Sequence, residues 1–83
     1  MSWVDHQLMN SELQLLKERH QNKSYLIKKE MAVELRISQR TLDRRIKAGV
    51  DIPRYKEAKT GRIIFPLSAI AEYYASNLVR THF

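Results

Sequence analysis

The sequence YLIKKEMAVELRISQRTLDRRIKAG, residues 25–49, contains two short amphipathic segments with a brief connection between them. In residues 25–35, apolar side chains recur at helical spacing, and strong helix formers fill the remaining positions. The second segment starts at Ser38, a residue type favoured at helix N-termini. It stops at Gly49, a residue that can take the left-handed conformation found after helices. We therefore predict two helices, over residues 25–35 and 38–48, with a tight turn between them.

The second helix is strongly basic on one side. At about 100° per residue, Leu42 and Ile46 fall together and face the core. The long cations of the opposite side are Arg40, Arg44 and Lys47. Such a face suits the major groove of DNA, because arginine can donate paired hydrogen bonds to guanine and both residue types can hold phosphates. The alternative is a solvated helix in which Asp43 pairs with Arg40 or Lys47.

A hairpin and another helix are predicted to follow. Pro53 ends the helical pattern, and residues 55–58 and 62–65 are short strand candidates around a turn at residues 59–61. The basic residues of this hairpin are Lys56, Lys59 and Arg62. Beyond Pro66, apolar residues at helical spacing predict a last amphipathic helix. Two helices joined by a tight turn, then a hairpin and a helix, outline a winged helix-turn-helix. We expect a mostly α chain with a small β-hairpin wing.

An extra helix is predicted before this unit, over residues 5–21. A capping pattern at Ser11 leaves two shorter helices as the alternative. The apolar stripe of this segment faces either the chain's own core or a partner protein. The leucines assigned to a partner are Leu8, Leu15 and Leu16. We therefore divide the chain into an N-terminal amphipathic helix, residues 1–23, and a winged helix-turn-helix domain, residues 24–83.

The charge of the chain is concentrated in its centre. With 83 residues the chain has the length of one small domain, and its net charge is +6. Residues 28–62 hold eleven bases and five acids, so this segment carries the whole excess. A localised basic surface is typical of proteins that bind polyanions. The alternative is a solvated surface that serves solubility.

Composition and spacing exclude several kinds of site. The sequence has no cysteine, which excludes disulfides, thiolate metal sites and a cysteine nucleophile. The three histidines lack metal-ligand spacing. Glu30 and Glu34 lie one turn apart among lysines, so we expect a solvated acidic pair. Phosphate-binding loops and nucleophile motifs are missing from the sequence, so we expect no enzymatic activity, no cofactor and no small-molecule substrate.

The sequence also bears on location. No apolar run approaches the roughly 18 residues of a membrane span, so we expect no membrane partner. Residues 1–10 lack the basic and apolar layout of a signal peptide. We therefore expect a cytoplasmic protein, and a DNA-binding one would associate with the nucleoid.

Four short motifs occur in a fixed order along the chain. They are YLIKKEMAVELRISQRTL at residues 25–42, GVDIP at 49–53, GRIIF at 61–65 and LSAI at 67–70. Together they resemble the small excisionase and prophage-regulator proteins of the MerR-like winged-helix group, over residues 24–76. Two positions depart from that pattern. Ile27 stands where the family often has a threonine or serine cap. Arg36 stands where a turn glycine is common, and arginine is strained there if φ is positive.

The resemblance implies sequence-specific binding of double-stranded DNA without catalysis. Such proteins bend DNA so that an integrase or recombinase excises a mobile element, or they act as small transcriptional regulators. The DNA-binding residues predicted for this chain are Lys28, Ser38, Gln39, Arg40, Thr41, Arg44, Arg45, Lys47, Lys56, Lys59 and Arg62.

Two other classes of function stay open. A protein-interaction adaptor would use residues 3–21 to bind an integrase, a polymerase subunit or a second copy of the chain. RNA binding is disfavoured, because the basic segment and its edge offer only Tyr55 and Phe65 for base stacking.

Overall fold

The computed structural model describes residues 6–80, which form four helices and a three-stranded antiparallel sheet. In chain order the elements are α1 (His6–Arg19), β1 (Tyr25–Ile27), α2 (Lys28–Leu35), α3 (Gln39–Ala48), β2 (Lys56–Glu57), β3 (Ile63–Pro66) and α4 (Leu67–Arg80). The mostly helical architecture is as predicted, while the sheet has one strand more than the expected hairpin. No helix within the described range has the length and apolar character needed to cross a membrane.

The first strand corrects the prediction of a helix over residues 25–35. β1 pairs antiparallel with β3, and Leu26 lies opposite Phe65. Both side chains are fully buried. The alternating burial along β1, with Tyr25 exposed, is that of a strand. Three apolar residues fit a helix and a strand equally well, so pairing with a distant strand decides their conformation.

The hairpin places β3 at the centre of the sheet, in the order β1-β3-β2. Lys56 lies opposite Ile64 and Glu57 opposite Ile63, so β2 is shorter than the predicted 55–58. The turn is closed by the amide of Gly61, which donates to the carbonyl of Ala58 over 2.8 Å. The φ of Gly61 is +83°, a conformation that glycine adopts without steric cost.

One hydrophobic core joins the sheet and all four helices. Its buried members are Leu16, Leu26, Met31, Ala32, Leu42, Phe65, Leu67, Ile70 and Ala71. α1 is one continuous helix, so the alternative of a break at Ser11 is wrong. It contributes Leu16, which is completely buried, and it packs mainly against α4. Leu16 is therefore not available to a partner, contrary to the adaptor hypothesis. Residues 3–5 of that predicted partner segment lie outside the described range.

A partly buried carboxylate joins three helices. Glu34 on α2 accepts a hydrogen bond from Nη2 of Arg19 at 2.8 Å and one from the hydroxyl of Tyr74 at 2.7 Å. The Nε2 atom of His20 lies 2.7 Å from the other carboxylate oxygen. Only 9% of the Glu34 side chain is exposed. The expectation that Glu34 belongs to a solvated acidic pair is therefore wrong. The prediction failed because the hydrogen-bonding partners of Glu34 come from distant parts of the chain.

This network changes the protonation of its members. Burial acts to raise the pKa of Glu34, but hydrogen bonds from Arg19, Tyr74 and His20 outweigh it, so this pKa lies below its ordinary value. Burial and the hydrogen bond to Glu34 both raise the pKa of Tyr74. The carboxylate thus stays ionised and the phenol stays protonated, which is the combination that the hydrogen bond requires.

The start of α2 uses a second carboxylate. Ile27 cannot cap the helix through its own side chain. Glu30 instead accepts a hydrogen bond from the Ile27 amide at 3.0 Å, and it also pairs with Lys23. The hydrogen bond from Lys23 and that from the Ile27 amide lower the pKa of Glu30. A carboxylate three residues inside the helix thereby replaces the missing serine or threonine.

The variant Glu34→Gln should lower the free energy of unfolding by about 2 kcal/mol, because hydrogen bonds to a charged acceptor are lost. The loss is no larger because Arg19 is partly solvated, which weakens its ion pair with Glu34. Urea denaturation followed by circular dichroism measures this change. The matched control is Glu57→Gln on β2, an exposed position. That variant should stay within about 0.5 kcal/mol of the unchanged protein. Equal losses in the two variants would contradict a special role for Glu34.

The same network predicts acid sensitivity. Glu34 and Glu30 have folded pKa values below the ordinary 4.5, so their stabilisation is complete above that value. It is lost as the pH falls through the folded pKa, because the unfolded chain then binds protons more readily. The urea midpoint should therefore be nearly flat above about pH 5 and fall towards about pH 3. Glu34→Gln should show a shallower fall, and an unchanged slope would contradict this assignment.

Candidate nucleic-acid interface

Helix α3 is fixed at both ends by local contacts. Ser38 caps it, since its hydroxyl oxygen accepts from the Thr41 amide at 3.1 Å. Gly49 ends it with a φ of +72°. The amide of Ile37 donates to the carbonyl of Ala32 over 3.0 Å, which closes the turn that leads from α2 into α3. The bounds of this helix, its cap and its terminal glycine are confirmed as predicted.

The turn before α3 contains a backbone conformation that arginine seldom adopts. Arg36 has φ +59° and ψ +42°, in the left-handed region. Its amide reaches the carbonyls of Ala32 and Val33 and so ends α2. The position does require a positive φ, which is where a glycine would be free of strain.

The cationic side of α3 is exposed. Leu42 is completely buried and Ile46 packs against the core, which turns the other side of the helix to solvent. The exposed cations of that side are Arg40, Arg44 and Lys47. Over residues 6–80, none of the three forms an ion pair. We call these three residues the cationic face.

Asp43 does not neutralise the cationic face. Its carboxylate lies 2.8 Å from the Nζ atom of Lys28 on α2. The alternative in which Asp43 pairs with Arg40 or Lys47 is therefore wrong. Lys28 contacts this carboxylate, so the predicted site residue Lys28 joins α2 to α3 instead of standing free.

The remaining α3 residues of the predicted site fall into two groups. Gln39 is exposed at the start of the helix. Thr41 is half-buried, and its hydroxyl accepts from the Ser38 hydroxyl at 3.0 Å and from Arg44 at 3.4 Å. Arg45 is half-buried and donates to the carbonyl of Asp51 over 3.3 Å. Arg45 thus holds the connection after α3, away from the cationic face.

The hairpin cations stand on a separate element. Lys56, Lys59 and Arg62 are all exposed, and Lys59 lies in the turn between β2 and β3. α3 packs against α2, and α2 packs against β1 and β3. Packing contacts through α2 and the sheet therefore connect α3, which carries the cationic face, with the hairpin.

Ion pairs leave more uncompensated positive charge in residues 28–62 than the count of acids and bases in that segment indicates. Two acids of the basic segment, Glu30 and Glu34, are paired with Lys23 and Arg19, which lie outside that segment. These pairs remove negative charge from the centre of the chain without using its own cations. Sequence reasoning missed this compensation, because no spacing along the chain links residue 19 with residue 34.

Among residues 6–80, no three histidine, aspartate or glutamate side chains stand close enough together to hold a metal ion. Comparisons with protein-family models, with curated proteins and with solved structures gave no match to this chain.

The variant Ser38→Ala should lower the free energy of unfolding by about 1 kcal/mol, because the Thr41 amide loses its acceptor at the helix start. The control is Ser38→Asp, which keeps an acceptor at the cap and should retain stability. Urea denaturation of the three proteins measures the difference. If Ser38→Ala matched the unchanged protein, the cap would not stabilise α3.

Proposed function

We propose that this chain binds double-stranded DNA as a winged helix-turn-helix protein, with α3 as the recognition helix and the β2–β3 hairpin as the wing. The observation that carries this proposal is the cationic face, three exposed cations that form no ion pair within residues 6–80, on one side of a helix whose other side is buried. Such a helix presents hydrogen-bond donors and positive charge together, which the major groove accepts.

In this proposal each part of the surface has its own role. Arg40 and Arg44 read base edges, since arginine donates paired hydrogen bonds to guanine. Gln39, at the start of α3, is placed where recognition helices contact base edges. Lys47 and the hairpin cations hold phosphates and set the orientation on the duplex. The longest principal extent of the structure is 35 Å, which is close to the length of one turn of duplex.

The biological role that the resemblance implies is excision of a phage or mobile element. An excisionase bends DNA beside an integrase, and the wing cations would hold the bent backbone. Control of transcription is the second candidate, since it uses the same groove contacts. Both roles rest on the resemblance of residues 24–76 to excisionases and prophage regulators.

Packing of the aromatic residues favours DNA over single-stranded RNA. Phe65 is fully buried, and the ring of Tyr55 lies against it with 5.9 Å between centroids. Single-strand binding proteins stack bases on open aromatic side chains. Phe65 is not free for that purpose, which leaves only the exposed ring of Tyr55 from this pair. The exposed cations are therefore better matched to a duplex.

The double variant Arg40→Ala/Arg44→Ala should lose the preference of the protein for one duplex. Fluorescence anisotropy of labelled fragments from the DNA flanking the gene, with a random duplex as competitor, measures this preference. We expect affinity for the preferred fragment to fall by about 100-fold or more, because two base-reading side chains are lost.

For the unchanged protein, log affinity against log salt should have a slope of about −4 to −5, as for four to six neutralised phosphates.

The matched control is Lys17→Ala/Arg54→Ala, which removes the same charge from exposed positions outside the cationic face. It should keep the preference and lose only a little affinity through the smaller net charge. A flat salt response of the unchanged protein would refute DNA binding. Equal losses in both double variants would refute α3 as the reading element.

A further inference from the structure

A groove between α1 and α2 brings together two exposed apolar side chains. Leu15 is 48% exposed and Val33 is 74% exposed, and both line this groove beside Tyr74. Single exposed apolar residues are common on protein surfaces, but neighbouring ones mark sites of association. Neither side chain belongs to the cationic face.

The charges of the groove are balanced. Arg19 and Glu34 neutralise each other within it. Of the other charged residues that line it, Glu12 interacts electrostatically with Arg19 without forming an ion pair, and Arg36 forms no ion pair with any residue in the described part of the chain. The lining of the groove therefore combines two exposed apolar side chains with one acid and one base that form no ion pair within residues 6–80.

We propose that this groove is the interface of a symmetric homodimer. Leu15 and Val33 of two copies would pack around a twofold axis, and Glu12 of each copy would pair with Arg36 of the other. A twofold interface requires a surface that is complementary to itself. A lining that holds apolar side chains and one such charge of each sign can meet that requirement, whereas a polyanion or a uniformly charged partner would leave Glu12 or Arg36 repelled.

The backbone of Arg36 supports this assignment. Glycine would satisfy the left-handed turn without strain, yet the chain has arginine there. Its side chain is exposed and holds nothing within residues 6–80. In the proposed dimer this guanidinium would pair with Glu12 of the other copy. The proposal does not depend on DNA binding, because its test measures self-association alone.

Sedimentation equilibrium of the full chain over a range of concentrations tests the proposal first. We expect a monomer–dimer equilibrium that Val33→Glu weakens at least about tenfold, because two carboxylates are placed at an apolar contact. The matched control is Val50→Glu, since Val50 is 54% exposed and lies outside the groove. It should leave the equilibrium unchanged. A chain that stays monomeric, or equal effects in both variants, would overturn the proposal.

Charge exchange tests the pairing directly. Glu12→Arg and Arg36→Glu should each weaken self-association about tenfold, because each puts like charges across the twofold axis. An equimolar mixture of these two variants should form a heterodimer of nearly the original affinity, since opposite charges then face each other. The mixture also tests the proposed dimer if the variant Val33→Glu does not fold. Failure of the mixture to associate would refute the twofold pairing.

The variant Arg36→Gly separates the backbone strain at this position from the ion pair that the Arg36 side chain makes in the proposed dimer. It should raise the urea midpoint of the monomer at low concentration, because the left-handed turn loses its steric cost. It should also weaken the dimer several-fold, because the ion pair across the axis is lost. A purely structural role for Arg36 would change only the first measurement, and an unchanged dimer would count against the interface.

Discussion

The carboxylate of Glu34 sets the relative placement of three helices. It receives Arg19 from the end of α1, His20 from the following turn and Tyr74 from α4. Apolar contacts hold helices together without fixing their register, because burial has no directional preference. Hydrogen bonds do have a directional preference. Since α2 carries this carboxylate and leads through one tight turn into α3, the orientation of α3 on the core depends on the same contact.

The ion pairs that build the fold also shape its electrostatic field. Arg19 and Lys23 neutralise the two acids of α2, and Lys28 neutralises Asp43 at the side of α3. Each pair removes an anion that would otherwise weaken the field at Arg40, Arg44 and Lys47. Folding thereby leaves Arg40, Arg44 and Lys47 without an ion pair within residues 6–80, although both signs of charge alternate along the sequence.

Local signals explain which elements the sequence could predict. Ser38 and Gly49 define α3 because capping and a left-handed end depend on neighbouring residues only. The strand at residues 25–27 depends on Phe65, forty residues away, and the burial of Glu34 depends on Tyr74. The periodicity of apolar residues along the sequence carries no information about such pairings. For the same reason the cationic face was predictable from one helix, whereas the partner of Asp43 and the groove beside Val33 required the packed structure.

The two exposed surfaces of the molecule differ in the partner that each can accept. Three cations that form no ion pair within residues 6–80 repel a second copy of themselves, so the cationic face suits a polyanion. The groove has balanced charge and two exposed apolar side chains, so it gains little from a polyanion and more from a copy of itself. A dimer formed through the groove would put no like charges across its axis. It would double the number of cationic faces per particle, which raises the number of phosphates that one particle can neutralise.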